Sequence, residues 1–144
     1  MNRAATRRRV VVLGSTGSIG TSTLKVAARL PERIELVGLA AHANVAGLAA
    51  QVHATGVRTV AIGDAARAEE LRQLVPAGTR VLAGPAGLAE LASLTEADLV
   101  LVAIVGTAGL APALAAIEAG KDLAVASKEI LVMAGETITS AVAR

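Results

Sequence analysis

The chain has no cysteine and no phenylalanine, tryptophan or tyrosine among its 144 residues. The lack of cysteine excludes a disulfide scaffold, a thiol nucleophile and a thiolate metal site. The lack of aromatic rings excludes the stacking platforms on which many single-strand nucleic-acid binders hold bases. Leu, Val, Ile and Ala must therefore build the core, and such small side chains suit helices packed closely against a sheet.

Charged residues are sparse as well, at 18%, whereas hydrophobic residues make up 53%. This composition excludes an intrinsically disordered chain, and the length is that of one domain. No apolar run reaches the ~18 residues of a membrane span without Gly, Pro or charge, and no signal-peptide pattern is present. We therefore expect a soluble, cytoplasmic protein that has no membrane or nucleic-acid partner.

The net charge of +2 depends on four arginines near the amino terminus, Arg3, Arg7, Arg8 and Arg9. Without them the chain has 10 basic and 12 acidic side chains, so its body is not a basic nucleic-acid-binding module. We predict that residues 1–9 form a flexible basic tail. A basic arm that meets phosphate is the alternative.

Apolar, β-branched segments alternate along the chain with helical segments bounded by Gly, Pro and capping residues. The predicted strands are 10–14, 34–40, 57–62, 80–83, 99–105 and 122–126. The predicted helices are 18–30, 44–54, 64–74, 85–94, 109–119 and the segment from 129 onward. Short βα units of this kind require parallel pairing. The predicted fold is α/β and Rossmann-like: a doubly wound, mainly parallel sheet with helices on both faces.

A glycine-rich segment, GSTGSIG at residues 14–20, joins the first predicted strand to the first helix. This is the place where a dinucleotide diphosphate meets backbone N–H groups and the positive end of a helix. Gly17 lacks a Cβ, so a diphosphate could approach, while Thr16 and Ser18 offer hydroxyl donors. The pattern favours dinucleotide binding, and a merely tight βα turn is the alternative.

The end of the second predicted strand has no carboxylate, whereas NAD-binding proteins usually hold the ribose 2′-hydroxyl there with Asp or Glu. His42 and Asn44 stand there instead, and both could donate to a 2′-phosphate. The pattern therefore favours NADP. Asn44 is also a plausible helix cap, and His42 could equally be a solvent-facing loop residue.

Two further segments follow predicted strands at the carboxyl edge of the sheet, AIVGTAGL at 103–110 and ASKE at 126–129. The glycines of the first would let the backbone approach a ligand over that edge, and a plain strand-to-helix turn is the alternative. In the second, Lys128 and Glu129 could meet an anionic substrate and the cofactor. A Ser127 helix cap with an exposed charge pair is the alternative.

These motifs occur in an order that resembles the amino-terminal domain of the 1-deoxy-D-xylulose 5-phosphate reductoisomerase family. The resemblance also includes AGK at 119–121 and LVMAG at 131–135, and it covers nearly all of the chain after the arginines. It implies a homodimeric enzyme that converts 1-deoxy-D-xylulose 5-phosphate into 2-C-methyl-D-erythritol 4-phosphate on the non-mevalonate route to isoprenoids. The implied cofactors are NADPH and a divalent metal, Mg²⁺, Mn²⁺ or Co²⁺.

The resemblance also implies roles for individual residues. Thr16, Gly17, Ser18 and Ile19 would line the NADPH diphosphate; His42, Ala43 and Asn44 would lie at the 2′-phosphate; Ser127 and Glu129 would sit by the cofactor; and Lys128 would contact the phosphosugar substrate. Two positions depart from the family pattern. Members commonly have Asn in place of Ser127, and many have Gly and a basic residue in place of His42 and Ala43.

The family's metal ligands lie in and after an Asp-Ser-Glu motif that would follow Arg144. We therefore expect residues 10–144 to be an NADPH-binding domain truncated before the metal-binding and carboxyl-terminal helical domains. It would contain neither catalytic residues nor metal ligands and would be inactive alone. The alternatives are a non-catalytic nucleotide-binding Rossmann module and another NADP-dependent reductase.

Overall fold

A computed structural model describes residues 7–126. The strands are β1 (Arg8–Leu13), β2 (Ile34–Ala41), β3 (Thr59–Ile62), β4 (Arg80–Ala83), β5 (Leu99–Val102) and β6 (Asp122–Val125). The helices are α1 (Ser18–Arg29), α2 (Val45–Thr55), α3 (Ala68–Leu74), α4 (Gly84–Ala92) and α5 (Leu110–Glu118). Every strand and helix predicted between residues 10 and 126 is present, and the helix predicted from 129 onward lies outside the described residues.

The six strands form one parallel sheet in the order β4-β3-β2-β1-β5-β6. The chain builds outward from β1 to β4, crosses back through α4, and then extends from β5 to β6 in the opposite direction. Right-handed crossovers place helices on opposite faces when the direction of travel reverses. The predicted doubly wound fold is confirmed. None of the helices described between residues 7 and 126 is long and apolar enough to cross a membrane.

Successive side chains of β1 point to opposite faces of the sheet, and each face packs into its own hydrophobic core. Val10 and Val12 join the cluster with α2 and α3, to which α1 adds the partly buried Leu24. Val11 and Leu13 face the opposite cluster, which α4 and α5 cover. All four residues are at most 5% exposed, as expected for a central strand buried on both faces.

The first strand begins at Arg8, so the prediction of a flexible tail over residues 1–9 is wrong at its carboxyl end. Three arginines form ion pairs with acids from other parts of the fold: Arg7 with Glu35, Arg8 with Asp122 and Arg9 with Asp98. These acids are distant in sequence, and only the pairing of β1 with β2 and β5, and of β5 with β6, brings them near. The sequence window around the arginines contains no acid and therefore could not predict these contacts.

Two further strand boundaries differ from their predictions by more than one residue. The fifth strand ends at Val102 rather than at 105, because its neighbour β1 ends at Leu13 and the next residues have no strand to pair with. The third strand begins at Thr59 rather than at 57. Val57 is nevertheless buried: its side chain belongs to the hydrophobic core, although its backbone does not belong to the sheet.

Helix α1 packs against the end of β1 at the position of a glycine. A Cβ built on Gly20 would overlap the carbonyl oxygen of Gly14 and would lie 2.6 Å from the Cα of Ser15. Both neighbours are backbone atoms, so no side chain can rotate away. The absence of a side chain at Gly20 therefore sets how closely α1 approaches the loop before it.

We expect Gly20→Ala to lower the free energy of unfolding by about 2 kcal/mol. The backbone overlap costs about 3 kcal/mol, and the better helix propensity of alanine returns only about 1 kcal/mol. Gly17→Ala is the matched control, because its Cβ would meet only the Gly14 carbonyl oxygen, at 3.6 Å. Urea unfolding followed by far-UV circular dichroism measures both, and equal stabilities of the two variants would contradict the packing argument.

Asp98 accepts the backbone N–H of Arg9 at 2.9 Å and two guanidinium N–H groups at 3.3 and 3.2 Å. These hydrogen bonds and the positive charge lower the pKa of the Asp98 carboxyl. Because the folded-state pKa lies below the unfolded value of about 3.9, the contribution to stability is present above that pH. It is lost as the pH falls through the folded-state pKa.

We therefore expect Asp98→Asn to be less stable than wild type at pH 7, and the difference to shrink as the pH falls below about 4. Urea midpoints between pH 7 and pH 3 measure this difference. Glu69→Gln is the control, because Glu69 pairs with Arg72 on an exposed helix surface. A pH-independent difference for Asp98→Asn would show that the carboxylate charge does not matter.

Candidate functional site

A cavity of about 430 Å³ opens at the carboxyl ends of β1, β2 and β5. The strand order reverses between β1 and β5, and ligands of open α/β sheets bind at such a switch point. Three loops, the end of strand β2 and one helix line the cavity: Gly14, Thr16, Gly17, Ala40, Ala41, His42, Leu88, Ala103, Ile104, Val105 and Ala108.

The floor of the cavity is a backbone contact between the loops that follow β1 and β5. Gly14 has a φ of +89°, and a Cβ on it would lie 2.6 Å from the carbonyl oxygen of Ala103. An L side chain is therefore disfavoured both by the backbone conformation and by the contact. The first glycine of the GSTGSIG segment thus lets the chain turn and lets the two loops meet.

The same segment points the amino end of α1 at the cavity region. Gly17 is the N-cap of this helix and has no side chain that could satisfy the first N–H groups. Its backbone N–H donates to the Gly14 carbonyl at 3.2 Å, and the space where its Cβ would stand meets only that oxygen. Helix N–H groups and the helix dipole make such an end attractive to an anion.

The predicted diphosphate residues occupy two different settings. Thr16 and Gly17 line the cavity. Ser18 and Ile19 form the exposed first turn of α1 beside it, and Ile19 is 47% exposed although it is apolar. The structure thus brings Thr16 and Gly17 to the cavity and leaves Ser18 and Ile19 at its margin.

His42 and Asn44 lie in the segment that follows the carboxyl end of β2. The exposed His42 lines the cavity. The Asn44 side chain accepts the backbone N–H of Gly47 at 3.0 Å, so the expectation that it caps α2 is confirmed. No carboxylate follows β2 at this edge, since residues 40–44 read AAHAN.

The loop after β5 forms an apolar wall of the cavity. Ile104 and Val105 both line it, and Val105 is 85% exposed. A side chain of this kind normally gains by being covered, so the wall is suited to a flat apolar surface of a ligand. Leu88 of α4 completes the lining. Sequence reasoning missed Leu88, because only the crossover from β4 to β5 carries its helix under the switch point.

Ser127, Lys128 and Glu129 lie outside the described residues. The strand that leads to them is described, and the N–H of Ala126 donates to the Val102 carbonyl at 2.9 Å. The chain therefore leaves β6 at the same edge of the sheet at which the cavity opens.

Comparison with protein families matches residues 10–135 to the family described as 1-deoxy-D-xylulose 5-phosphate reductoisomerase. The reductoisomerase of Methylococcus capsulatus is 50% identical over 139 residues, covering 94% of this chain and 35% of that relative. The enzyme of Desulfosudis oleivorans is 46% identical over 139 residues, covering 95% of this chain and 36% of that relative.

Comparison with solved structures finds the same family. The reductoisomerase from Zymomonas mobilis in complex with NADPH superposes with a TM-score of 0.89 at 39% identity, covering 96% of this chain and 36% of that one. A reductoisomerase in complex with NADPH, fosmidomycin and magnesium gives a TM-score of 0.89 at 36% identity, over 94% of this chain and 34% of that one. The chain spans about a third of the length of the relatives it matches. It belongs to the 1-deoxy-D-xylulose 5-phosphate reductoisomerase family.

Proposed function

We propose that this chain is the NADPH-binding part of an enzyme that rearranges and reduces 1-deoxy-D-xylulose 5-phosphate to 2-C-methyl-D-erythritol 4-phosphate. The observation that carries the proposal is the cavity at the switch point, with a glycine loop and a helix amino end at its border, in a chain of this family. Relatives whose structures contain NADPH support the choice of cofactor.

The described residues fit the diphosphate of NADPH. The open space at Gly17 admits phosphate oxygens next to the first N–H groups of α1, and the Thr16 side chain stands at the same cavity. Thr16, Gly17, Ser18 and Ile19 would hold the diphosphate through backbone N–H and hydroxyl donors. NADPH, when bound, supplies the hydride that reduces the rearranged aldehyde.

The end of β2 fits the 2′-phosphate that distinguishes NADPH from NADH. A carboxylate there would repel the phosphate, and residues 40–44 contain none. His42 is exposed at the cavity and would donate from its ring, while Asn44 would add its amide N–H₂ and continue to cap α2 through its carbonyl oxygen. Ala43, between them, would contribute only its backbone.

The substrate side of the proposal rests on residues outside the described range. Lys128 would bind the phosphosugar, and Ser127 and Glu129 would adjoin the cofactor. Among residues 7–126 no three His, Asp or Glu side chains cluster so that they could hold a metal ion, so the metal ligands of the proposed enzyme would lie outside this range. The proposed whole enzyme is a cytoplasmic homodimer that uses Mg²⁺, Mn²⁺ or Co²⁺.

We expect the chain to bind NADPH at least about tenfold more tightly than NADH, because no carboxylate opposes the 2′-phosphate. Isothermal titration calorimetry with both nucleotides measures the preference. Gly17→Ala should weaken NADPH binding by about tenfold or more, since its methyl group would occupy the approach of the diphosphate. Unchanged affinity in that variant, or tighter binding of NADH by wild type, would contradict the proposal.

We expect His42→Asp to lower the ratio of NADPH to NADH affinity by about tenfold or more, because a carboxylate would then face the 2′-phosphate. The chain's other histidine provides the control. His53, in the last turn of α2, donates from Nε2 to the Leu74 carbonyl and does not line the cavity. His53→Asp makes the same change of charge and should leave the ratio unchanged. If both variants lowered the ratio equally, the change in the protein's net charge would explain the effect, and His42 would have no special place near the 2′-phosphate.

A further inference from the structure

One polar side chain is buried beneath the glycine loop. Within residues 7–126, Ser15 is the only polar or charged residue that is buried, at 0% exposure. Its hydroxyl cannot meet water, so it must find partners inside the protein. The nearer of its two partners is Gln51 of α2, a residue that does not line the cavity.

Gln51 of α2 holds Ser15 through two hydrogen bonds. The Ser15 hydroxyl donates to Gln51 Oε1 at 2.7 Å, and Gln51 Nε2 donates to the backbone carbonyl of Ser15 at 2.8 Å. The Ala40 carbonyl lies farther from the same hydroxyl, at 3.4 Å. One amide group thus meets both a side-chain donor and a backbone acceptor of the loop.

The second of these bonds sets the orientation of a peptide group. The Ser15 carbonyl and the Thr16 N–H belong to one planar trans peptide and point in opposite directions. Holding the carbonyl toward Gln51 therefore turns the Thr16 N–H away from α2. Within the described part of the chain that N–H has no protein acceptor, and Thr16 lines the cavity.

Helix α2 is a firm support for this contact. Leu48 and Val52, which flank Gln51 along the helix, are at most 1% exposed, and Asn44 caps the amino end. The carbonyl of Ala40 at the end of β2 also accepts the N–H groups of Gly14 and Ser15, each at 2.8 Å. The loop is thus anchored from below by β2 and from the side by α2.

We propose that Gln51 is a positioning residue for the cofactor: it orients the Ser15–Thr16 peptide so that the Thr16 N–H is presented to the NADPH diphosphate. The inference rests on the proposed function for the identity of the ligand. The orientation of the loop does not depend on that identity. Gln51 acts through Ser15 and does not itself line the cavity.

The test compares Gln51→Leu and Gln51→Glu with wild type. Leucine keeps most of the volume and removes both hydrogen bonds, and we expect NADPH affinity to fall about tenfold. In the ligand-free chain, amide hydrogen exchange at Ser15 and Gly17, whose N–H groups donate to backbone carbonyls, should accelerate while exchange in β5 and α5 stays unchanged. Gln73→Leu is the control, because Gln73, the other glutamine, is exposed on α3.

Gln51→Glu makes nucleotide affinity depend on pH if Gln51 orients the loop, and no such dependence is expected if Gln51 only stabilises the fold. The ionised carboxylate can accept from the Ser15 hydroxyl but cannot donate to the Ser15 carbonyl, whereas the protonated acid can. We expect NADP⁺ affinity relative to wild type to be about tenfold lower at pH 8 and to recover partly at pH 5. Gln51→Leu should show no such recovery. NADP⁺ is the probe because it tolerates acid.

The outcomes separate the two proposals. If wild type binds no nucleotide but Gln51→Leu still accelerates exchange only in the loop, the proposed function fails and the orientation of the loop by Gln51 stands. If Gln51→Leu leaves loop exchange and affinity unchanged, the positioning role is overturned. If its exchange accelerates throughout the chain, or Gln51→Glu shows no dependence on pH, Gln51 serves general stability and the positioning role is likewise overturned.

Discussion

The Gly14 backbone lies in close contact with two other backbone segments, and these contacts fix how β1, β5 and α1 meet. On one side a Cβ would strike the carbonyl of Ala103, and on the other the Gly14 carbonyl fills the space beside Gly20. These approaches bring the end of β1 against the end of β5 and seat α1 on the loop between them. A wider spacing at either glycine would move the amino end of α1 relative to the cavity. The fold and the candidate site therefore share the same few backbone atoms.

The aromatic-free composition is consistent with this close geometry. The two cores are filled by Leu, Val, Ile and Ala, and the largest fully buried side chains are leucine and isoleucine. Small side chains bring helices near the sheet, and Leu91 of α4 packs where a Cβ on Gly38 would stand. The same lack of large side chains leaves the mouth of the cavity walled by alanine, valine and isoleucine. That wall provides apolar surface, while the polar groups at the cavity are backbone N–H groups, the Thr16 side chain and His42, which follows β2.

Much of the fold could be predicted from local patterns. The apolar run of β1, the Asn44 cap of α2 and Gly56, a glycine of left-handed conformation at which α2 ends, each act within a few residues, so a short window of sequence contains the physical cause. The errors have non-local causes. Arg8 and Arg9 are strand residues because their backbone pairs with Ile34 and Glu35 of β2, and β5 ends where its neighbour β1 ends. In the site, Thr16, Gly17 and His42 were predicted from the strand–loop–helix pattern, whereas Leu88 and Gln51 carry no such signal.

The α/β class, the glycine loop and the missing carboxylate after β2 follow from the sequence alone, because periodicity, spacing and residue type are local properties of the chain. The order of the motifs along the chain carries the resemblance to the family. The tertiary structure decided which loops meet, that three arginines are paired, and that Ser15 is buried against Gln51. Those facts depend on strand order and on the reversal between β1 and β5. Contacts between residues far apart in sequence exist only once the sheet has brought them together, and for that reason no local pattern could reveal them.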